Sequence, residues 1–301
     1  MTIRHLKIFI AVCDYKKMSL AAEKLFMAQP SVSQVIAEIE QHYGVRVFER
    51  LSKKLYLTEA GENLLKYARH IVSSFEEMED SLLKSSSNTS LKIGATITVG
   101  TCVLNDILND FKLKKPNIST KVYVENTNVI EEMILKSKLD LGIVEGIIKS
   151  RDIITVPIVS DELTLVCPLS HEFSSLEEIT ADKLNNQDFI LREEGSGTRE
   201  LFEKKIENLD ITINKKWICN NSEAIKNAVI SGQGLTVISQ MLVRKEIEEK
   251  KLHAIKINDL KLTRNFYLAY HKSKYLSDNL KSFISTCMDC SLAHVWIVHS
   301  N

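Results

Sequence analysis

The sequence predicts an α/β protein that begins with a small all-α domain, continues through one long helix and ends in a two-lobed α/β domain. Apolar residues recur every three or four positions near the N-terminus, and a heptad pattern follows. From Leu91 onwards, β-rich runs alternate with helical patterns, and the last strand candidate is the run NFYLAYHK. We place the boundaries at 1–58, 59–87 and 88–301, with a first lobe at about 90–161 and 267–290 and a second lobe at about 162–266.

Composition excludes several classes of protein. A chain of 301 residues has room for two or three domains, and it has no apolar run long enough to span a membrane. The N-terminus lacks the cleavage site of a secretory signal, so we expect a cytoplasmic protein with reduced thiols and no cofactor. Cys287 and Cys290 form a C-x-x-C pair, which predicts two thiols on a C-terminal helix; metal or redox chemistry is the alternative.

The first 58 residues predict three short helices followed by a β-hairpin. Ser19 is the expected N-cap of the second helix, Pro30 begins the third, and Gly44 ends it. Two short helices joined by a tight turn are typical of a helix-turn-helix, although such a pair is as often an ordinary packing motif. The polar residues at the start of the third helix and the basic residues of the hairpin are the expected DNA contacts: Gln29, Pro30, Ser31, Ser33, Gln34, Arg50, Lys53 and Lys54.

The long helix after Thr58 carries a heptad seam. Its apolar positions are separated by alternating steps of four and three: Leu64, Ala68, Ile71, Phe75, Met78 and Leu82. The other faces are mostly polar, so a single helix could not bury this seam. We therefore expect a homodimer formed through it.

Two hydroxyl-rich segments in the α/β domain predict a ligand site. Thr96 and Thr98 follow a predicted strand and precede a helix expected to start near Gly100, and a Gly-Ser-Gly-Thr run at 195–198 joins a strand to a helix. Helix N-termini and hydroxyls both suit small anions, although plain helix capping is the alternative. The run lacks the lysine and the spacing of a phosphate-binding P-loop, and no catalytic triad or metal cluster emerges. An enzyme is therefore not predicted.

Residues 21–61 contain a recognisable pattern. The motif AA-x-x-L, Q-P-x-x-S, I-x-x-x-E, G-x-x-x-F-x-R and L-T-x-A-G is matched at Ala21, Ala22, Leu25, Gln29, Pro30, Ser33, Ile36, Glu40, Gly44, Phe48, Arg50, Leu57, Thr58, Ala60 and Gly61. This segment closely resembles the DNA-binding domain of LysR-type transcriptional regulators, and the layout matches over all but the last ten or so residues. The resemblance implies a winged helix-turn-helix that binds double-stranded promoter DNA, a dimerising linker helix, a periplasmic-binding-protein-like effector domain and a homotetramer.

The resemblance also places the ligand between the two lobes. Carried over to this sequence, it implies Thr96 and Thr98 as ligand contacts, with Ile97 contributing backbone only. The REEGSGTR run resembles the branch that regulates sulfur assimilation and carbon fixation, whose effectors are small anions or phosphorylated metabolites. That likeness adds Ser196, Gly197 and Thr198 as contacts.

Glu145 ends a predicted strand near the same cleft and is a further candidate for the ligand site. Its carboxylate would repel an anion unless Arg192 or Arg199 pairs with it, and an ordinary hinge or surface role is the alternative. The remaining alternative for the whole chain is a two-lobed small-molecule binding protein without a DNA-regulatory role.

Overall fold

A computed structural model describes residues 1–51, 54–83 and 90–293 of the chain. These residues divide into two compact units, one built mainly from the residues up to Leu83 and the other mainly from those after Ser90. Among the helices described, none is both long enough and apolar enough to cross a membrane.

The first unit contains three helices, a hairpin and a long helix. In chain order they are α1 (Ile3–Tyr15), α2 (Met18–Lys24), α3 (Gln29–Tyr43), β1 (Phe48–Leu51), β2 (Lys54–Leu57) and α4 (Glu59–Leu83). Its core is formed by residues such as Phe9, Val12 and Ile36. The N-cap of α2 is Lys17, so the prediction that Ser19 caps this helix is wrong. Ser19 lies inside the first turn because the helix starts at the apolar Met18.

Helix α3 and the hairpin are joined by specific contacts. Gly44 ends α3 in the left-handed conformation, with φ of 68°, as expected for a glycine C-cap. The Glu40 carboxylate then accepts hydrogen bonds from the backbone N–H groups of Val47 at 2.8 Å and Phe48 at 3.3 Å. These bonds fix the hairpin against α3, which gives the predicted wing.

Only part of the predicted heptad seam of α4 is buried within the described unit. Ala68 is fully buried and Leu64 is half-buried, and both pack into the core of the first unit. Further along, Ile71, Met78 and Leu82 are 42%, 47% and 76% exposed. An apolar stripe of this kind on a helix is typical of a surface that packs against another chain.

The second unit is α/β. Its strands are β3 (Ser90–Ala95), β4 (Ser119–Val124), β5 (Leu141–Glu145), β6 (Ile153–Pro168), β7 (Glu178–Ile179), β8 (Asp188–Arg192), β9 (Asn214–Cys219), β10 (Thr236–Ser239), β11 (Leu252–Ile257) and β12 (Thr263–His271). Its α-helices are α5 (Ile97–Cys102), α6 (Leu104–Lys114), α7 (Thr127–Leu135), α8 (Gly197–Glu207), α9 (Ser222–Ile230), α10 (Gln240–Glu248) and α11 (Asp278–Ala293). Helix α5 begins at Ile97 instead of near Gly100, where the sequence had placed its start.

Two long antiparallel strands, β6 and β12, connect the two lobes, and we call them the crossing strands. The main sheet has the order β4-β3-β5-β12-β6-β11-β7, and β10 also pairs with β6. Strands β3, β4 and β5 are parallel to one another in the first lobe, whereas β8 and β9 form a separate parallel pair in the second. Each lobe has its own core, with Phe111 and Phe283 in the first and Phe189 and Phe202 in the second.

The sequence patterns do not predict β6, β7 or β11. Strand β6 contains Pro157 and the acidic pair Asp161–Glu162, which interrupt an alternating apolar pattern. The register with β12 shifts between Pro157 and Val159: Phe266 pairs with Val159, whereas the next residue, Tyr267, pairs with Pro157. The strand therefore bulges where it passes between the lobes.

Candidate functional site

The exposed first turns of α3 carry the polar side chains predicted to contact DNA. Gln29, Pro30, Ser31 and Gln34 are exposed, and Ser33 is half-buried. The side-chain amide of Gln29 donates to Ser33 Oγ at 2.8 Å, and that of Gln34 donates to Glu38 Oε1 at 2.9 Å. Each pair is one helical turn apart, so the two amides lie along the exposed surface of one helix.

The wing places one basic side chain beside this helix. Met18 Sδ contacts both Ser33 Oγ, at 3.1 Å, and Arg50 Nη2, at 3.9 Å. The exposed Arg50 therefore lies next to the predicted DNA-contacting turn. Lys53 lies outside the described residues, as does the side chain of Lys54, so their DNA contacts stay predictions.

In the first lobe, two threonines and a glutamate meet where β3 and β5 end. Thr96, Thr98 and Glu145 are all buried. Thr96 Oγ1 donates to Glu145 Oε2 at 2.5 Å, and Thr98 Oγ1 donates to Glu145 Oε1 at 2.9 Å. Thr96 is the N-cap residue of α5 but makes no side-chain cap bond, so the capping alternative is wrong there. Ile97, between the threonines, is half-buried.

In the second lobe, the N-terminus of α8 faces the end of β5. Gly197 is its first residue and Ser196 its N-cap residue, again without a side-chain cap bond. The Ser196 hydroxyl is buried and has no hydrogen-bond partner within the described part of the chain. A Cβ atom on Gly197 would lie 2.3 Å from the carbonyl oxygen of Glu145 and 2.7 Å from the Cα of Gly146. The two lobes therefore touch backbone to backbone at this glycine.

Arg264 on β12 joins the lobes to each other and to β6. Its Nε donates to Asp161 Oδ2 at 2.7 Å, and its Nη1 donates to Thr198 Oγ1 at 2.8 Å. Nη2 reaches Thr98 Oγ1 at 3.5 Å, and Nη1 lies 4.0 Å from Glu145 Oε1. We call these buried residues the inter-lobe cluster: Thr96, Thr98, Glu145, Asp161, Thr198 and Arg264.

The cation beside Glu145 is thus Arg264, and the expected pairing with Arg192 or Arg199 is wrong. Arg192 pairs with Glu193 at 2.8 Å, and Arg199 pairs with Glu203 at 3.0 Å. Both arginines are positioned by neighbours in their own lobe. Arg264 is able to reach Glu145 because β12 runs directly beside β5.

The inter-lobe cluster contains one guanidinium and two carboxylates, all nearly inaccessible to solvent. Burial raises the pKa of Asp161 above its usual value, although Arg264 and a 2.7 Å hydrogen bond from Ser239 oppose the shift. Buried charges require partners of this kind because water cannot screen them. The cluster therefore places the guanidinium of Arg264 within 4.0 Å of two carboxyl groups.

A groove of about 540 Å³ adjoins the cluster, and its lining includes Arg264 of the cluster and the neighbouring Gly197. It continues between α8 and β12, past Leu201 and Tyr267. Its size is within the range of small-molecule sites.

The C-x-x-C pair is only partly described. Cys287 is buried on α11, and the side chain of Cys290 lies outside the described residues. Within the described chain, no group of three or more His, Cys, Asp or Glu residues is placed to hold a metal ion.

Two family models match the chain. One, described as a bacterial regulatory helix-turn-helix protein of the lysR family, matches residues 3–62. The other, described as the LysR substrate binding domain, matches residues 84–289. The chain belongs to the LysR family of transcriptional regulators. The predicted family and fold class are both confirmed.

This LysR-type regulator is 31% identical over 284 residues to the RuBisCO operon transcriptional regulator of Allochromatium vinosum, with 94% of each chain covered. The CcmR regulatory domain of Synechocystis PCC6803, solved in complex with 2-PG, matches with a TM-score of 0.64 and 25% identity, over 67% of this chain and 97% of that one. A full-length OxyR variant from Pseudomonas aeruginosa matches with a TM-score of 0.68 and 20% identity, over 97% and 94% of the two chains, which supports the fold.

Sequence reasoning about the regulator missed Arg264 and Asp161. Arg264 lies one residue before the run NFYLAYHK, which the sequence did indicate as a strand, and Asp161 lies in the unpredicted β6. A charged residue within an apolar strand pattern was the available signal, because buried charges are placed beside partners.

Proposed function

We propose that this regulator contacts promoter DNA through the first turns of α3 and the wing, and that a small anion bound between the lobes modulates this binding. The observation that carries the ligand proposal is the buried, unpartnered hydroxyl of Ser196 at the N-terminus of α8. An anion would give this hydroxyl and the free N–H groups of the helix the acceptor that they lack. The 2-PG complex of CcmR supports a small ligand in this fold.

We further propose a homodimer formed through the exposed stripe of Ile71, Met78 and Leu82 on α4, assembling into a homotetramer. Ligand binding would change the relative position of the two lobes and, through the tetramer, the spacing of its DNA-binding domains. The same proposal includes domain boundaries after residues 58 and 87, a cytoplasmic location and the absence of catalytic activity. The match of the helix-turn-helix model favours it over a binding protein without a DNA role.

A gel-shift assay tests the proposal as a whole. The full-length protein should retard DNA from upstream of its own gene or of neighbouring genes, and small anions should change the pattern. Failure to bind any of this DNA at low salt would contradict the assignment of α3 as the DNA-contacting helix. Binding that no anion affects would contradict only the ligand part.

Gln29→Ala should weaken specific DNA binding by roughly tenfold, because an amide contact to a base contributes about 1–3 kcal/mol of discrimination. Gln41→Ala is the control, since this exposed glutamine lies in the last turns of α3, far from its N-terminus. Titrations with operator and with unrelated DNA should show the loss on operator alone. An equal loss for both substitutions would remove Gln29 from the DNA contact.

Thr98→Ala combined with Ser196→Ala should abolish the anion response while leaving operator binding nearly unchanged. The Ser196 substitution is informative by itself, because its hydroxyl has no partner and its loss should not lower the free energy of unfolding. Ser160→Ala is the control, since this exposed serine lies on β6 beside Asp161. An anion response equal to that of the unmodified protein in the double variant would eliminate the proposed pocket.

A further inference from the structure

The carboxylate of Glu145 belongs to the proposed anion site, and the groups that contact it in the described structure all use it as a hydrogen-bond or charge acceptor. Thr96 and Thr98 each donate a hydrogen bond to one of its oxygens, and Arg264 approaches one of them at 4.0 Å. Each of these neighbours is a donor or a cation, so each uses the carboxylate as an acceptor. Water does not compete for these oxygens, because only 1% of Glu145 is exposed.

The other acidic residue of the inter-lobe cluster also has one close donor on each carboxylate oxygen. Asp161 receives Ser239 Oγ on Oδ1 and Arg264 Nε on Oδ2, both at 2.7 Å. Both of its oxygens therefore accept from residues of β10 and β12. A carboxylate has about four lone-pair positions, so both carboxylates keep acceptor positions, but Glu145 is the one whose backbone meets the N-terminus of α8 at Gly197.

The remaining groups of the site are donors. The Ser196 hydroxyl and the first N–H groups of α8 suit the oxygens of an anion, and Arg264 supplies the positive charge. A fully ionised oxyanion satisfies these donors, but it also brings an oxygen lone pair towards the Glu145 carboxylate. An anion that carries an O–H satisfies both sides, because the O–H donates to Glu145 and the other oxygens accept.

We propose that Glu145 selects anions that carry their own hydrogen-bond donor and excludes fully ionised oxyanions such as sulfate. The donor is either the P–OH of a hydrogenphosphate group or the hydroxyl of a hydroxy acid. This inference rests on the proposed anion site and adds the chemical class of its ligand.

Two matched pairs of probes test the selection on the full-length protein by calorimetric titration at pH 7. Phosphate and sulfate have the same tetrahedral shape, but only phosphate retains an O–H at this pH. Lactate and propionate are carboxylates that differ by one hydroxyl. In at least one pair, the donor-bearing member should bind at least about tenfold more tightly, as expected for a hydrogen bond to a charged group. The pair that shows the preference identifies the source of the donor.

Glu145→Gln should remove the preference, because the amide presents a donor where the carboxylate only accepted. Glu162→Gln is the control, since it deletes the same charge at an exposed position on β6. Equal binding within both pairs of the unmodified protein overturns the selection but leaves the anion site standing. Binding of none of the four probes overturns both proposals. If Glu145→Gln does not fold, the comparison in the unmodified protein still decides the question.

Discussion

Arg264→Leu is expected to lower the free energy of unfolding of the second unit by about 3–5 kcal/mol, the range for a buried ion pair that loses one partner. The substitution leaves Asp161 and Glu145 buried without their cation, and it removes the hydrogen bonds to Thr198 and Thr98. Urea unfolding followed by tryptophan fluorescence measures the loss. Both tryptophans, Trp217 and Trp296, lie in the C-terminal part of the chain.

Two further variants identify the cause of that loss. Arg244→Leu removes an exposed arginine on α10 and should change stability by no more than about 0.5 kcal/mol. Adding Asp161→Asn to Arg264→Leu should restore part of the stability, because one of the unpaired charges is then gone. A loss below about 1 kcal/mol for Arg264→Leu would show that the inter-lobe cluster contributes little to folding.

Gly197→Ala is expected to separate the two lobes. The new Cβ would lie 2.3 Å from a backbone oxygen of Glu145, and neither backbone can rotate away as a flexible side chain could. We expect a destabilisation of about 1–3 kcal/mol, as for other overpacked sites, together with loss of the anion response. Urea unfolding and calorimetric titration measure these two effects.

Gly100→Ala is the matched control for this substitution. Gly100 lies within α5, where an added Cβ would meet only side-chain atoms of Val124 at 3.2 Å or more. The higher helix propensity of alanine offsets that tight contact, so stability should change little. If Gly197→Ala unfolds at the same urea concentration as the unmodified protein, the close approach of the lobes is not maintained in solution.

Much of the fold follows from periodicity in the sequence. The helical spacing of the first unit, the heptad seam of α4 and the strands of each lobe are local patterns, and each is set by burial on one face. Of the crossing strands, β6 is harder to predict because it leaves one core and enters another. Pro157 and Asp161 in β6 are placed by this passage between lobes, and a single alternating pattern does not describe it.

The candidate site also combines residues that local sequence patterns predict with residues that only the fold brings together. Thr96, Thr98 and Ser196 could be predicted because hydroxyls next to strand ends and helix starts are visible within a few residues of sequence. Arg264 was missed because its partners lie far along the chain: Thr98 is 166 residues away and Asp161 is 103. The lack of a partner for Ser196 is likewise a property of the fold, because it depends on which groups surround the hydroxyl.

The unpartnered hydroxyl of Ser196 has a consequence for divergence among related regulators. Arg264 contacts side chains from both lobes and from β6, so any single replacement there disturbs the fold as well as the ligand site. Ser196 makes no side-chain hydrogen bond within the described chain, and another small residue could replace it at little cost to stability. In a lineage that acquires a new effector, substitutions should therefore accumulate at this position before they reach the arginine.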